Sequence, residues 1–492
     1  MREIRLGLML MTLLPTLALS TPLDRALVQA DLALARETLQ RVHPGYDRYT
    51  STPALDRMWR QLDQSFDEQV TLTEAYLGLS RILAAIRCDH TKAELPKAMV
   101  QARESSPLYL PFRFRLFSQD GGHRMYVSQP GGTPLARGDE ILTIDGTPVQ
   151  DRLADVAPYI PVDGFTDHVK SVVLASSSEF LGSGFDHFDP LLNDVAAQVV
   201  VKARSSDGVI RERTLPRIGY AAFRDLTSGK RWGQNFSDPG VARIEFPTDK
   251  VAVLSVDTFV NYRKPVKPEA IYGPLFRQAA ERGVETMILD LRSNGGGSTD
   301  AQLGLVARLI DKPTFGARDV RVKTINLDGL RDHLDTWEKA ALNPQPGQFN
   351  RRDDGWWSVK PEFGGVGEPL EPQADAFGGR LIVLTSRSNS SGSTSFVSVM
   401  QATGRATLVG ESTGGSQEGP TAGIIFFLTL PNTGIVVRVP YQLTEQVTEN
   451  PVYGRGFDPD IEAPETYESW LAGRDPALEA AIKLANSGML AL

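Results

Sequence analysis

Two stretches of this sequence follow one plan, and together they restrict the fold more than any other feature. Residues 286–291 (TMILDL) and 381–385 (LIVLT) are short runs built on consecutive apolar residues, 287–289 and 381–384. A strand with no polar alternation is covered on both faces, as in a parallel sheet flanked by helices. The first run passes into Arg292-Ser293-Asn294-Gly295-Gly296-Gly297 and then a helical pattern over 300–310. The second passes into a polar turn over 386–391, a helical pattern from Thr394 with Phe396, Val397, Val399 and Met400, and a further strand at 407–409. A serine at a strand-to-helix turn has two uses. It caps the helix, or its hydroxyl reacts beside unpaired N–H groups that favour a developing anion.

The remaining chain brackets these units with different patterns. Residues 23–42, 54–66 and 72–86 carry apolar residues at helical spacing, the last preceded by the start signal Thr71-Leu72-Thr73-Glu74. This helical domain, 21–100, ends at Arg87-Cys88-Asp89-His90-Thr91. Over 101–217 the pattern turns to strands, at 108–117, 124–128, 198–203 and 212–217, with turns at Gly138-Asp139 and Asp145-Gly146. An insertion over 150–195 holds His168 and His187. From 218 to 492 strands and helices alternate, interrupted at 313–370 by a charged, Trp- and Gly-rich insertion expected to be a lid or partner surface.

Composition excludes several roles. With 52 Lys and Arg against 60 Asp and Glu the net charge is −8 and no basic block occurs, so nucleic-acid binding has no electrostatic footprint. No Gly-Lys-Ser/Thr follows the glycine run, so it is not a nucleotide phosphate loop. The six histidines are scattered without metal-ligand spacing, and neither a cofactor nor a metal is expected. Arg2 and Arg5 precede the apolar run 6–19, and Ala18-Leu19-Ser20 has the small-x-small form of a cleavage site. Residues 1–20 therefore read as a signal peptide of a periplasmic or secreted protein, with no stable membrane span after its removal. Cys88 is the one cysteine, so no internal disulfide forms.

Residues 135–149 (LARGDEILTIDGTPV) resemble the signature of PDZ domains, "L-x-x-G-D-x-I-L-x-I-x-G-x-x-V". That resemblance implies capture of polypeptide tails by addition to a sheet edge. Three further segments in order, 290–297 (DLRSNGGG), 390–415 with Gly410-Glu411-Ser412-Thr413-Gly414-Gly415, and 456–461 (GFDPDI), resemble the tail-specific, or C-terminal processing, serine peptidases, including the core of the tricorn protease. The resemblance implies an α/β, ClpP/crotonase-like peptidase core behind an N-terminal helical domain and a PDZ-like β-rich domain. It also implies endopeptidase chemistry on a polypeptide substrate. Carried onto this chain, the nucleophile falls on Ser391, with Ser390 and Ser393 as competitors. The oxyanion hole falls on the N–H groups of Gly296 and Gly392.

The lysine base of the processing enzymes is missing: its matching position is Ser416, and no Lys occurs between Pro361 and Ile482. The tricorn-like branch uses Ser, His and Glu, which implies His90 as general base and Glu449 as its carboxylate partner. Asp89 ranks second, since neighbouring side chains usually point apart. A serine hydroxyl needs such a base, and the imidazolium formed needs an acid to hold its tautomer. The competing function is a non-catalytic binding module on the same core, carrying an apolar ligand or peptide as interphotoreceptor retinoid-binding protein does. A third is a PDZ-type scaffold with a degenerate core.

Overall fold

The computed structural model describes residues 22–119, 121–177, 179–227 and 234–487; the signal peptide expected at 1–20 lies outside them. The N-terminal region folds as α1 (Arg25–Val42), α2 (Thr52–Ser65) and α3 (Leu72–Ala85). At the start of α3 the Thr71 hydroxyl accepts the Glu74 N–H while the Glu74 carboxylate accepts the Thr71 N–H, a reciprocal cap. The helix is stopped by Arg87, whose φ of 62° lies in the left-handed region.

The next region is an antiparallel sheet in the order β1 (Arg113–Gln119), β2 (Gly122–Gln129), β3 (Glu140–Ile144), β4 (Gln198–Arg204), β5 (Ile210–Pro216). The Asp145-Gly146 turn carries φ of 48° and 80°, the two consecutive positive values that a tight hairpin turn requires. The insertion between β3 and β4 forms α4 (Val149–Val156), α5 (Lys170–Ala175) and α6 (Gly184–Leu192).

Beyond it the chain runs β6 (Ala242–Thr248), β7 (Val251–Val256), α7 (Pro268–Glu281), β8 (Thr286–Asp290), α8 (Thr299–Val306), β9 (Asp319–Val322), β10 (Leu334–Asp335), β11 (Phe349–Arg351), β12 (Trp357–Val359) and β13 (Arg380–Thr385). It continues with α9 (Ser391–Ala402), β14 (Ala406–Gly410), β15 (Thr421–Thr429), β16 (Val436–Glu445), β17 (Ile461–Glu462) and α10 (Pro476–Asn486). Strands β6-β7-β8-β13-β14-β17 make one sheet, parallel except for β6. Tyr272, Phe276, Leu305, Phe396 and Val397 pack one face from α7, α8 and α9, and Ala477 and Ala481 of α10 pack the other. Burial on both faces is why residues 287–289 in β8 and 381–384 in β13 are consecutive apolar residues.

A second sheet, β10-β15-β16-β9-β12-β11, takes four strands from residues 313–370. The insertion expected to be a lid is thus built into the body of the protein. The short strand Ala93–Glu94 adds to β16, and the buried Asp31 carboxylate of α1 accepts the N–H of Thr433 at 2.7 Å. These links bring the segment carrying His90 onto the second sheet, although it is remote in sequence from the serine turn. No helix among the described residues is long and apolar enough to cross a membrane.

Candidate active site

In the parallel sheet Leu289 pairs with Val383 and Asp290 with Leu384, so β8 and β13 end side by side. The glycine loop and the serine turn therefore leave the same edge together, at the carboxyl ends of the strands where open α/β sheets bind ligands. Asn389, fully buried, bolts the two turns to each other. Its Nδ2 donates to Leu291 O at 2.6 Å, to Asn294 O at 3.1 Å and to Ser393 Oγ at 2.9 Å, while its Oδ1 accepts Ser386 N–H at 2.7 Å. Ser386 Oγ donates to Arg292 O at 2.7 Å.

Ser391 opens α9 with φ at 51°, one of three non-glycine residues with positive φ among those described. The left-handed region costs an L-residue about 1–2 kcal/mol. That is affordable because Phe396, Val397, Val399 and Met400 of the same helix are fully buried, each worth about 1.5–3 kcal/mol. The hydrogen bonds separate the three candidate serines. Ser390 Oγ donates to Asp89 Oδ2, and Ser393 Oγ is fully buried against Asn389. Ser391 keeps its hydroxyl uncommitted on the cleft wall.

The glycine loop closes over this turn. Gly296 has φ of 104°, and a Cβ there would stand 2.8 Å from Ser391 Cβ, Ser390 O and Gly392 N, so only glycine fits. Its own N–H, however, donates to Asn294 Oδ1 at 2.8 Å. The amide assigned to Gly296 in the oxyanion pair is therefore spent on a buried asparagine. The next glycine, Gly297, brings its N to 3.5 Å from the Cβ direction of Gly392. Neither Gly297 N–H nor Gly392 N–H has an acceptor within the chain among the described residues. These two amides lie at the serine turn, free to donate to a group in the cleft.

His90 lines the same cleft. Residues 88–91 form a tight turn closed by Thr91 N–H to Cys88 O at 3.1 Å. Cys88 Sγ meets Thr421 Oγ1 at 2.8 Å, which pins the turn to the start of β15. The turn folds the neighbouring side chains of Asp89 and His90 together, with Asp89 Oδ1 2.6 Å from His90 Nδ1. The rule that neighbours point apart belongs to extended strands and fails here. Asp89 thus spans His90 and Ser390, the residue before Ser391. Glu449, assigned the carboxylate role from the resemblance, lies exposed after β16, outside the cleft wall and with no hydrogen bond or ion pair among the described residues.

Charge explains how tightly this turn is held. Burial opposes ionisation of His90, yet the carboxylate of Asp89 and the thiol of Cys88 outweigh it and raise its pKa well above the ordinary value. Burial likewise opposes the Cys88 thiolate, but hydrogen bonds and charge from His43 and His90 lower it to about 5. Asp163, buried nearby, is pushed up to about 7 by desolvation and by the charges of Asp89 and Cys88. Cys88, Asp89 and His90 are the one group among the described residues with metal-ligand chemistry, their donor atoms lying within 4.8 Å of one another. Those donors already serve each other.

The cleft has a volume of about 2110 Å³ and is walled by β1, α5, the glycine loop, the serine turn, β15 and the insertion. Its size accommodates a chain segment better than a small metabolite. Residues 250–463 match the model of peptidase family S41. The fold is similar to that of mature CPAF, at 17% identity over 94% of this chain and 99% of that one, with a TM-score of 0.64. CPAF complexed with lactacystin aligns at 17% identity over 94% and 97% of the two chains, TM-score 0.61. A point mutant of CPAF aligns at 17% identity over 95% and 99%, TM-score 0.64. No curated protein matches the sequence. The match over residues 250–463 gives the chain a peptidase family S41 domain, and with it the character of a serine peptidase.

Proposed function

We propose that the protein is an exported endopeptidase that cleaves polypeptides through an acyl-enzyme on Ser391. His90 acts as general base, Asp89 holds it, and the N–H groups of Gly297 and Gly392 receive the oxyanion. The observation that carries this reading is the chain of contacts from His90 through Asp89 to Ser390, beside a Ser391 hydroxyl left uncommitted at a strained turn. Neutral His90 takes the Ser391 proton as Oγ attacks the scissile carbonyl. The resulting imidazolium is stabilised by Asp89, and the same proton is passed to the leaving amine. Water then hydrolyses the acyl-enzyme by the reverse sequence. The free enzyme holds His90 protonated up to a higher pH than an ordinary imidazole, so attack waits on loss of that proton.

The antiparallel sheet is proposed to be a PDZ-type domain. Its outermost strand, β1, contributes residues 114–119 to the cleft, which suits delivery of a polypeptide tail toward Ser391. Export follows from the residue 1–20 pattern.

The test is reaction of the full mature chain with a fluorophosphonate, the adduct located by peptide mass spectrometry. The expected result is an adduct on Ser391 that disappears in His90→Ala. Absence of any adduct, or one on Ser391 that forms equally fast without His90, refutes the mechanism.

A further inference from the structure

Three aromatic side chains from separate parts of the chain meet on the cleft wall. The rings of Tyr262 and Trp337 lie nearly parallel, 6.4 Å between centroids and 8° between planes. Phe427 meets Trp337 edge-on at 5.9 Å. Tyr262 and Trp337 are 61% and 58% exposed, so a large stacked apolar surface is held open to water. Isolated apolar residues on a surface need no explanation, but a clustered patch rimmed by polar groups marks a binding surface.

The strand beneath this ledge supplies a second, independent observation. On the side away from β16, strand β15 is paired only by β10, at Phe427 and Leu428. Over residues 421–426 that edge has no strand partner among the described residues, and Ala422, Gly423, Ile425 and Phe427 line the cleft. Unpaired strand edges accept an extended peptide, with main-chain bonds giving affinity and alternate side chains specificity. The strand starts at Thr421, which anchors the turn of His90, and reaches the ledge at Phe427.

The reach also fits. Phe259 N–H donates to Gly296 O at 3.0 Å, in the loop that cradles Ser391. Tyr262 follows Phe259 by three residues, at most about 11 Å of chain. An extended substrate covers that span in about three residues.

We propose that the β15 edge and the Tyr262–Trp337 ledge form a subsite selecting extended polypeptides that carry a large apolar side chain, aromatic or leucine-like, about three residues from the cleaved bond. This rests on the Ser391 reading, and it gives the insertion a role in substrate choice. An aromatic anchor seated on two rings is the kind of contact that dominates peptide affinity.

The test uses the Ser391→Ala full-length protein and a fluorescein-labelled dodecapeptide in which Trp, Leu or Ala is scanned through each position, with binding read by anisotropy. Trp or Leu at one position is expected to bind about 10-fold or more tightly than Ala there. That preference should fall to within about twofold in the Trp337→Ala and Tyr262→Ala versions and persist in Trp337→Phe. Absence of binding, absence of a preferred position, or a preference that survives both alanine substitutions overturns the proposal. Both rings are exposed, so their truncation spares the core. Because binding here needs no acyl transfer, the outcome is separable from the fluorophosphonate result on the unaltered chain.

Discussion

Asp89→Asn exposes the electrostatic design of the site most directly. Asp89 Oδ1 stands 2.6 Å from His90 Nδ1. An opposite charge at such range favours the protonated imidazole and raises its pKa. Burial works against the His90 charge, and in the native protein Asp89 and Cys88 outweigh it. With His90 as the base, the acid limb of kcat/KM should lie at higher pH than an ordinary imidazole gives, because only neutral imidazole can accept the Ser391 proton. In Asp89→Asn the burial effect remains while the largest opposing charge is gone, so the limb moves to lower pH. The plateau falls at the same time, by a factor on the order of 10²–10⁴, because the imidazolium formed during attack loses its counter-charge. The two profiles should then approach each other toward acid pH and separate toward alkaline pH. The assay is kcat/KM on an internally quenched peptide from pH 5 to 10, with thermal unfolding measured alongside to confirm an intact fold. A limb that stays in place, or moves upward, refutes the assignment of Asp89 as the partner of His90.

Two further substitutions test the scaffold. Gly297→Ala puts a Cβ into the Phe259 carbonyl carbon at a φ of 142°, so the loop must shift and peptide hydrolysis should fall by at least about 100-fold; hydrolysis near the native rate would exclude this glycine from the oxyanion hole. Asn389→Asp keeps the shape of the bolt but removes its N–H donors to Leu291 O, Asn294 O and Ser393 Oγ. It should cost about 2–4 kcal/mol in denaturant unfolding together with most of the activity, and an unchanged unfolding midpoint would show that the two turns hold together without it.

Much of the core could be read in advance because its signals are local. The apolar runs before each turn report burial on both faces, and Gly296 and Gly297 report backbone that only glycine tolerates beside a serine turn. The insertion misled because its strands are short, Leu334–Asp335 having two residues, and take their pattern from β15 and β16 rather than from their own periodicity. Asn389 carried no periodic signal as a bolt, since a buried asparagine is recognised only by the groups around it.

From the order of residues alone came the strand–turn–helix units and the serine turn with its glycine loop, while His90 as a base was implied only by the family resemblance and is a proposal. Tertiary structure decided which serine stays uncommitted, which amides remain open, and that Asp89 rather than Glu449 meets His90. The division has one physical cause. Helical and strand patterns depend on neighbours a few residues away, whereas a hydroxyl, amide or carboxylate is committed by partners up to hundreds of residues distant. Those partners meet only once the sheets have set their register.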